Sequence, residues 1–238
     1  MDISADRKKE LECFIKKFGL EFDDYELLNR AFVHTSYTNE NNIDVLESYE
    51  RLEFLGDAVL KIAISDFLFK KFPNYREGEL TKHRSWVVSD KELSVLASKI
   101  NLADLILLGK NEESHGGRNK SSIVACAFEA FLGAIFIEYK QFGLKAVYDF
   151  LIDNFECDIL NSKLHNYKAI LQEHTQGETH KLPVYKILDE FGLAHDKTYR
   201  VGAYYNDVLI AQGEGKSKKD AEQAAAKNAL EFLKIEVV

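Results

Sequence analysis

Residues 50–60 read ERLEFLGDAVL (Glu50–Leu60), three carboxylates set among leucines, a phenylalanine and a valine. On a helix, positions i, i+3 and i+7 share one face, so Glu50, Glu53 and Asp57 point the same way. Leu52, Leu55, Val59 and Leu60 are left to pack elsewhere. A carboxylate taken out of water neutralises or finds a cation. The stretch therefore predicts a helix with one side in the core and acids that call for a positive partner.

Outward from it, the chain reads as helix after helix up to about Asn154. LECFIKKF, YELLNRAFVHTS, VLESYERLEFLGDAVLKIAISDFLFKKF and ELTKHRSWVVSDKELSVLASKI carry apolar residues at three- and four-residue spacing. Pro73 closes the long central helix. A polar loop, GKNEESHGGRNKS, precedes SIVACAFEAFLGAIFIEY, and LKAVYDFLIDNF follows as another helix. From Ile123 to Ile137 the only charged residue is Glu129, which predicts a buried acid on a helix enclosed by its neighbours. Two such helices offering carboxylates can line a site for a hard divalent cation, Mg²⁺ or Mn²⁺. Spacing alone leaves the alternative open: Glu50 and Glu53 paired with Arg51 or Lys61, and Glu129 hydrogen-bonded to backbone or to an arginine.

After a polar joint the grammar changes. LHNYKAILQEHTQG reads as a helix. PVYKILDEFG, KTYRVGAYYN and DVLIAQGEG read as strands separated by turn residues. SKKDAEQAAAKNALEFLKI reads as a closing helix with Ser217 as its N-cap. The expected organisation is an all-α domain over residues 1–156, a linker over 157–165, and a small α+β domain, ordered α-β-β-β-α, over 166–238.

Composition, 46% hydrophobic and 29% charged, fits a soluble globular protein rather than a disordered or membrane one. No apolar run approaches the roughly 20 residues of a membrane helix, and the charged N-terminus lacks the apolar core of a signal peptide. Three well-separated cysteines without zinc-like spacing suggest free thiols in a reducing cytoplasm. The net charge of −8 counts little against a nucleic-acid partner, because clustering decides binding. From His165 onward the chain has ten Lys/Arg and eleven Asp/Glu, so the acidity belongs mostly to the N-terminal part. Lys216, Lys218 and Lys219 crowd the start of the last helix, where ammonium groups and the helix dipole together suit phosphate. His34 and Ser36 lack a third triad member, and Tyr204 and Tyr205 read as strand packing rather than stacking platforms.

These stretches resemble the ribonuclease III family. ERLEFLGDAVL matches its signature at nearly every position, and AFVHTSY, FPNYREGELT, GGRNKSSI and FEAFLGAIFIE follow in order. The C-terminal unit is similar to a double-stranded-RNA-binding domain ending in GKSKKDAEQAAAKNAL. The resemblance implies a Mg²⁺-dependent endonuclease, with Mn²⁺ as a substitute, working as a homodimer on double-stranded RNA. It implies Glu53 as a metal ligand, Asp57 as a catalytic carboxylate, and Glu129 as both catalytic acid and metal ligand. Glu50 and Glu77 fall on acidic positions of less direct role. Gln172, Glu173 and His195 match RNA-contacting positions, beside the three lysines. The implied reaction is attack by cation-activated water, leaving 5′-phosphate and 3′-hydroxyl ends with a short stagger. Ribosomal-RNA precursors are the family's expected substrates.

One position departs. Where the family usually carries an Asp ligand, three residues before Glu129, this chain has Cys126. A thiol is soft and neutral where Mg²⁺ wants a hard anion. Either the remaining acids suffice, or the protein binds duplex RNA with weak or no cleavage. A helical hydrolase of small phosphates is the third possibility, and the RNA-binding tail argues against it.

Overall fold

The computed structural model describes residues 3–161, 167–179, 181–192 and 197–235, apart from the side chains of Ala169, Glu173, Glu178 and Thr179. The chain divides into two compact units, Met1–Ser162 and Lys163–Val238.

The first unit is helical: α1 (Ala5–Lys16), α2 (Tyr25–Arg30), α3 (Thr35–Glu40), α4 (Glu50–Lys71), α5 (Glu77–Val87), α6 (Asp90–Lys99), α7 (Lys110–Ser114), α8 (Ser121–Glu138) and α9 (Gly143–Asn161). Helix α8 is its axis, packed against α4, α6 and α9. Val124, Phe128, Phe131, Leu132 and Ile135 are buried along it. At 18 residues α8 has the length and composition of a membrane span, contrary to the expectation of no such run, yet most of it is buried inside this unit. Phe131 meets Phe14, Phe32 and Phe150 with ring centroids 5.5–5.7 Å apart, the spacing of favourable aromatic pairs.

Where α4 crosses α8 the contact is backbone to backbone. A Cβ on Gly56 would collide with the carbonyl oxygen of Glu129 and stand 2.9 Å from the Gly133 nitrogen. A Cβ on Gly133 would collide in turn with the carbonyl oxygen of Leu52. Only glycine at both positions lets the helices approach this closely.

Three stretches read as single helices are broken. YELLNRAFVHTS stops at Arg30; Val33 bridges to Leu107, and the His34 ring caps α3 by accepting from the Ser36 N–H at 3.1 Å. VLESYERLEFL begins as a separate 3₁₀ turn, Val45–Glu47, before α4. ELTKHRSWVVSDKELSVLASKI splits at Val88, where Ser89 becomes the N-cap of α6. At the far end, α9 runs past Cys157 to Asn161, so the first part of the stretch read as a linker is helical.

The second unit contains α10 (Tyr167–Thr179), β1 (Val184–Phe191), β2 (Thr198–Tyr205), β3 (Val208–Gly215) and α11 (Lys218–Phe232), with an antiparallel sheet ordered β1-β2-β3. Tyr205 pairs with Val208 across Asn206 and Asp207, both at positive φ (52° and 63°), the conformation of a tight two-residue hairpin. Leu171, Val201, Ala203, Ala225, Ala226 and Leu230 form its core. The small alanines bring α11 close to the sheet, where a Cβ on Gly213 would strike the Ala225 nitrogen.

Candidate active site

The α4–α8 crossing places the acids. Gly56 lies between Glu53 and Asp57, and its contact on α8 is Glu129 itself. Glu53, Asp57 and Glu129 are half-buried, whereas Glu50, at the first residue of α4, is exposed. Glu129 is thus less enclosed than its apolar surroundings predict. Burial, with Asp57, Glu53 and Asp90 close enough to repel a further charge, pushes its carboxyl up to about 8; Lys61 counters only in part. Asp57 accepts from Lys61 Nζ at 2.7 Å, a half-exposed pair one helical turn apart. Such pairs contribute only about 0.3–0.5 kcal/mol, too little to hold Asp57 against a divalent cation.

Cys126 faces the same acids. Burial raises its thiol well above the ordinary thiol range, and the Glu53, Glu129 and Asp90 carboxylates push it further the same way. At neutral pH position 126 therefore carries a proton and no charge. Among the described residues, no group of three or more His, Cys, Asp or Glu side chains stands close enough together to hold an ion as it is. The acids share a neighbourhood rather than a closed ligand set.

Asp90 was not anticipated from sequence. It opens α6 directly after the Ser89 cap, and its charge reaches both Cys126 and Glu129. Glu77 begins α5, is exposed, and accepts from Thr81 Oγ1 at 3.0 Å. The His34–Ser36 pair (2.7 Å) serves capping, with Ser36 Oγ also accepting the Gly109 N–H at 2.9 Å.

In the second unit Lys216, Lys218 and Lys219 are exposed around the first turn of α11. Ser217 caps that turn, accepting from Asp220 N–H at 3.1 Å, and Lys218 Nζ sits 5.7 Å from the Tyr199 ring centre. Gln172 is exposed on α10. Glu173 falls on the same helix, but its side chain lies outside the described residues, as does all of His195.

A helical unit with acids gathered at a glycine-tight crossing, followed by a three-stranded unit with a lysine-crowned helix, defines a nuclease joined to an RNA-binding module. Residues 24–155 match the Ribonuclease-III-like family and residues 167–233 the double-stranded RNA binding motif. Ribonuclease 3 of Borreliella burgdorferi is 43% identical over 233 residues, covering 96% of this chain and 93% of that protein. Ribonuclease 3 of Bacillus cereus is 41% identical over 230 residues, covering 95% and 93%. The nuclease domain of ribonuclease III from Campylobacter jejuni, described for its dimer-forming region, superposes with a TM-score of 0.55 at 37% identity, covering 61% of this chain and 99% of that domain. The chain belongs to the ribonuclease III family, the double-stranded-RNA endonucleases.

Proposed function

We propose that this protein is a Mg²⁺-dependent endoribonuclease that hydrolyses duplex RNA to 5′-phosphate and 3′-hydroxyl ends, with precursors of ribosomal RNA and other structured transcripts as substrates. The observation that carries this reading is the gathering of Glu53, Asp57 and Glu129 at the Gly56–Gly133 crossing, in a chain that also bears a double-stranded RNA binding motif.

The donor chemistry suits a hard cation, since all three acids offer oxygen, although their side chains would have to draw together to hold one. Burial, then the charges of Asp57, Glu53 and Asp90, raises Glu129 against the opposing Lys61. Glu53 and Glu129 would hold the ion, with Mn²⁺ able to replace Mg²⁺. When bound, such an ion lowers the pKa of water and offsets charge on the scissile phosphate. To serve as a ligand, Glu129 would have to give up the proton that burial and its neighbours favour. Asp57 Oδ2, released from Lys61, is the acceptor placed one turn from Glu53 for the attacking water's proton. Lys216, Lys218 and Lys219 bind phosphates across the grooves of the A-form duplex, and Gln172 and Glu173 contact its minor groove.

The surface of α4 supports reading the protein as a homodimer. Phe54 is 82% exposed and lines a cavity whose apolar wall is Leu27, Leu46, Leu52, Leu55 and Ile137, with Arg30, Glu50 and Arg51 also lining it. Two copies related by a two-fold axis would each bury this ring in the other's cavity, giving two acid sets for two strands. Three cysteines without a disulfide partner are in keeping with work in a reducing cytoplasm.

The test is incubation of the purified protein with a long RNA duplex, with and without Mg²⁺. Staggered products carrying 5′-phosphates only with Mg²⁺ are expected. Retention of the duplex without cutting would favour the binding-protein reading that the neutral Cys126 keeps in play.

A further inference from the structure

Along one face of α4, Asp57, Lys61 and Ser65 follow one another a helical turn apart. Lys61 Nζ donates to Asp57 Oδ2 at 2.7 Å, so this polar row begins at the acids. It ends against α5, where Arg84 Nη1 donates to Ser65 Oγ at 2.8 Å. Lys61, Ser65 and Arg84 line a cavity of about 850 Å³ between the two helices, with Ile62, Phe69 and Leu80 in its apolar wall. Arg84 is half-buried, and among the described residues it makes no ion pair and meets no acceptor but Ser65. Two acids also line the cavity, and both are engaged: Asp66 with Lys70 at 2.7 Å, Glu77 with the Thr81 hydroxyl at 3.0 Å. A guanidinium drawn partly out of water calls for an anion, and apolar walls strengthen the attraction. Its planar fork of donors matches the oxygens of a phosphate.

We infer that Arg84, together with Lys61, forms a phosphate subsite for the RNA backbone, displaced along α4 from the acids. The inference rests on the duplex-cutting reading above and deepens it, by giving the strand a path beyond the scissile bond. A phosphate seated here draws Lys61 Nζ away from Asp57 and frees that carboxylate for the reaction. A competing account gives Arg84 a structural part alone, tying α5 to α4 through Ser65. The tie depends on the hydrogen bond, whereas the subsite depends on the charge.

Binding of the full chain to a long RNA duplex, measured in chelator across a salt series, separates the two. Arg84→Gln keeps a donor for Ser65 and removes the charge. It should flatten the slope of log affinity against log salt by about 0.9, so that between about 50 and 200 mM salt the variant loses about 3.5-fold less affinity than wild type. Arg84→Lys, which keeps the charge, and Ser65→Ala, which keeps the guanidinium, should both retain the wild-type slope. A wild-type slope in Arg84→Gln overturns the subsite, and so does an equal flattening in Ser65→Ala, because the effect then follows the bond. Inorganic phosphate bound by the free chain through Arg84, with the duplex slope unchanged in Arg84→Gln, would assign the cavity to a free anion and overturn the RNA reading. Once Mg²⁺ is added, a wild type that leaves the duplex uncut while Arg84→Gln flattens the slope overturns the cleavage reading alone. A wild type that cuts, with the slope unchanged in Arg84→Gln, overturns the subsite alone.

Discussion

Gly56 lies against the backbone carbonyl of Glu129, so close that no side-chain carbon fits between them. This contact joins structure and chemistry, because Glu53 and Asp57 flank the glycine and Glu129 supplies the carbonyl. Gly56→Ala must push α4 and α8 apart, and the clash is with backbone that has no rotamer to yield. Overpacking of this kind costs about 1–3 kcal/mol and occasionally more; the upper end is expected here. Thermal denaturation should show the loss, and cleavage should fall further than stability, since the acids separate with the helices. Wild-type melting and activity would mean that the helices are not held at this distance in solution.

Cys126→Asp restores a carboxylate where the thiol is held neutral by burial and by Glu53. Without metal the added charge faces Glu53 and Glu129, so the melting temperature in chelator should drop. With Mg²⁺ the same charge becomes a ligand, and cleavage should be preserved or raised, most visibly at low Mg²⁺. A loss of cleavage at saturating Mg²⁺ would remove position 126 from the metal site.

How far these features can be read without coordinates depends on whether the signal is local. The acids of α4 and α8 were legible because charge within an apolar period stands out, and the hairpin at Asn206–Asp207 because tight turns select those residues. The break at Ser89 was missed although Ser89-x-x-Glu92 has the form of a capping box: the apolar spacing of Leu93 and Leu96 continues that of α5 and hides it. Asp90 had no local signal at all. Its nearness to Cys126 arises from the packing of α6 on α8, a contact between segments some thirty residues apart in the chain.

Glu129 titrates near 8, far above an ordinary carboxyl, because burial and the neighbouring acids disfavour its charge. Between the unfolded-state value near 4.5 and about 8, the native protein holds a proton that the unfolded chain has lost. Metal-free stability from this group is therefore full below about 4.5 and is lost as pH rises through 8. Glu129→Gln, which mimics the protonated acid, should raise the melting temperature in chelator more at pH 8.5 than at pH 6. Ion binding at pH 7 should release about one proton from this site, seen calorimetrically in buffers of different ionisation enthalpy, and the release should vanish above pH 9. A release that does not vary with pH would rule out Glu129 as its source.

Phe54 contributes little to the monomer, being 82% exposed, so replacing it should leave the fold intact. In a dimer that buries this ring, Phe54→Glu should cost on the order of 2 kcal/mol or more, at least about thirtyfold in dimer dissociation. Sedimentation across a concentration series would show monomer where wild type is dimeric, with cleavage falling in step. An unchanged dimer would place the interface elsewhere on the unit.

The lysines of α11 allow the RNA interface to be tested without disturbing the fold. Glutamate at a helix N-terminus opposes the dipole favourably, so Lys218→Glu with Lys219→Glu should keep α11 folded beneath the Ser217 cap. The Lys218 contact with Tyr199 is exposed, and its loss costs no more than about 0.5–1 kcal/mol. What changes is counterion release. Each lysine that neutralises a phosphate contributes close to one unit to the slope of log affinity against log salt, so the double change should flatten that slope by about two. Binding should weaken by a similar factor on unrelated duplex sequences, because phosphates carry no sequence. A slope equal to wild type, or a loss confined to particular sequences, would show that these ammonium groups do not meet the RNA backbone.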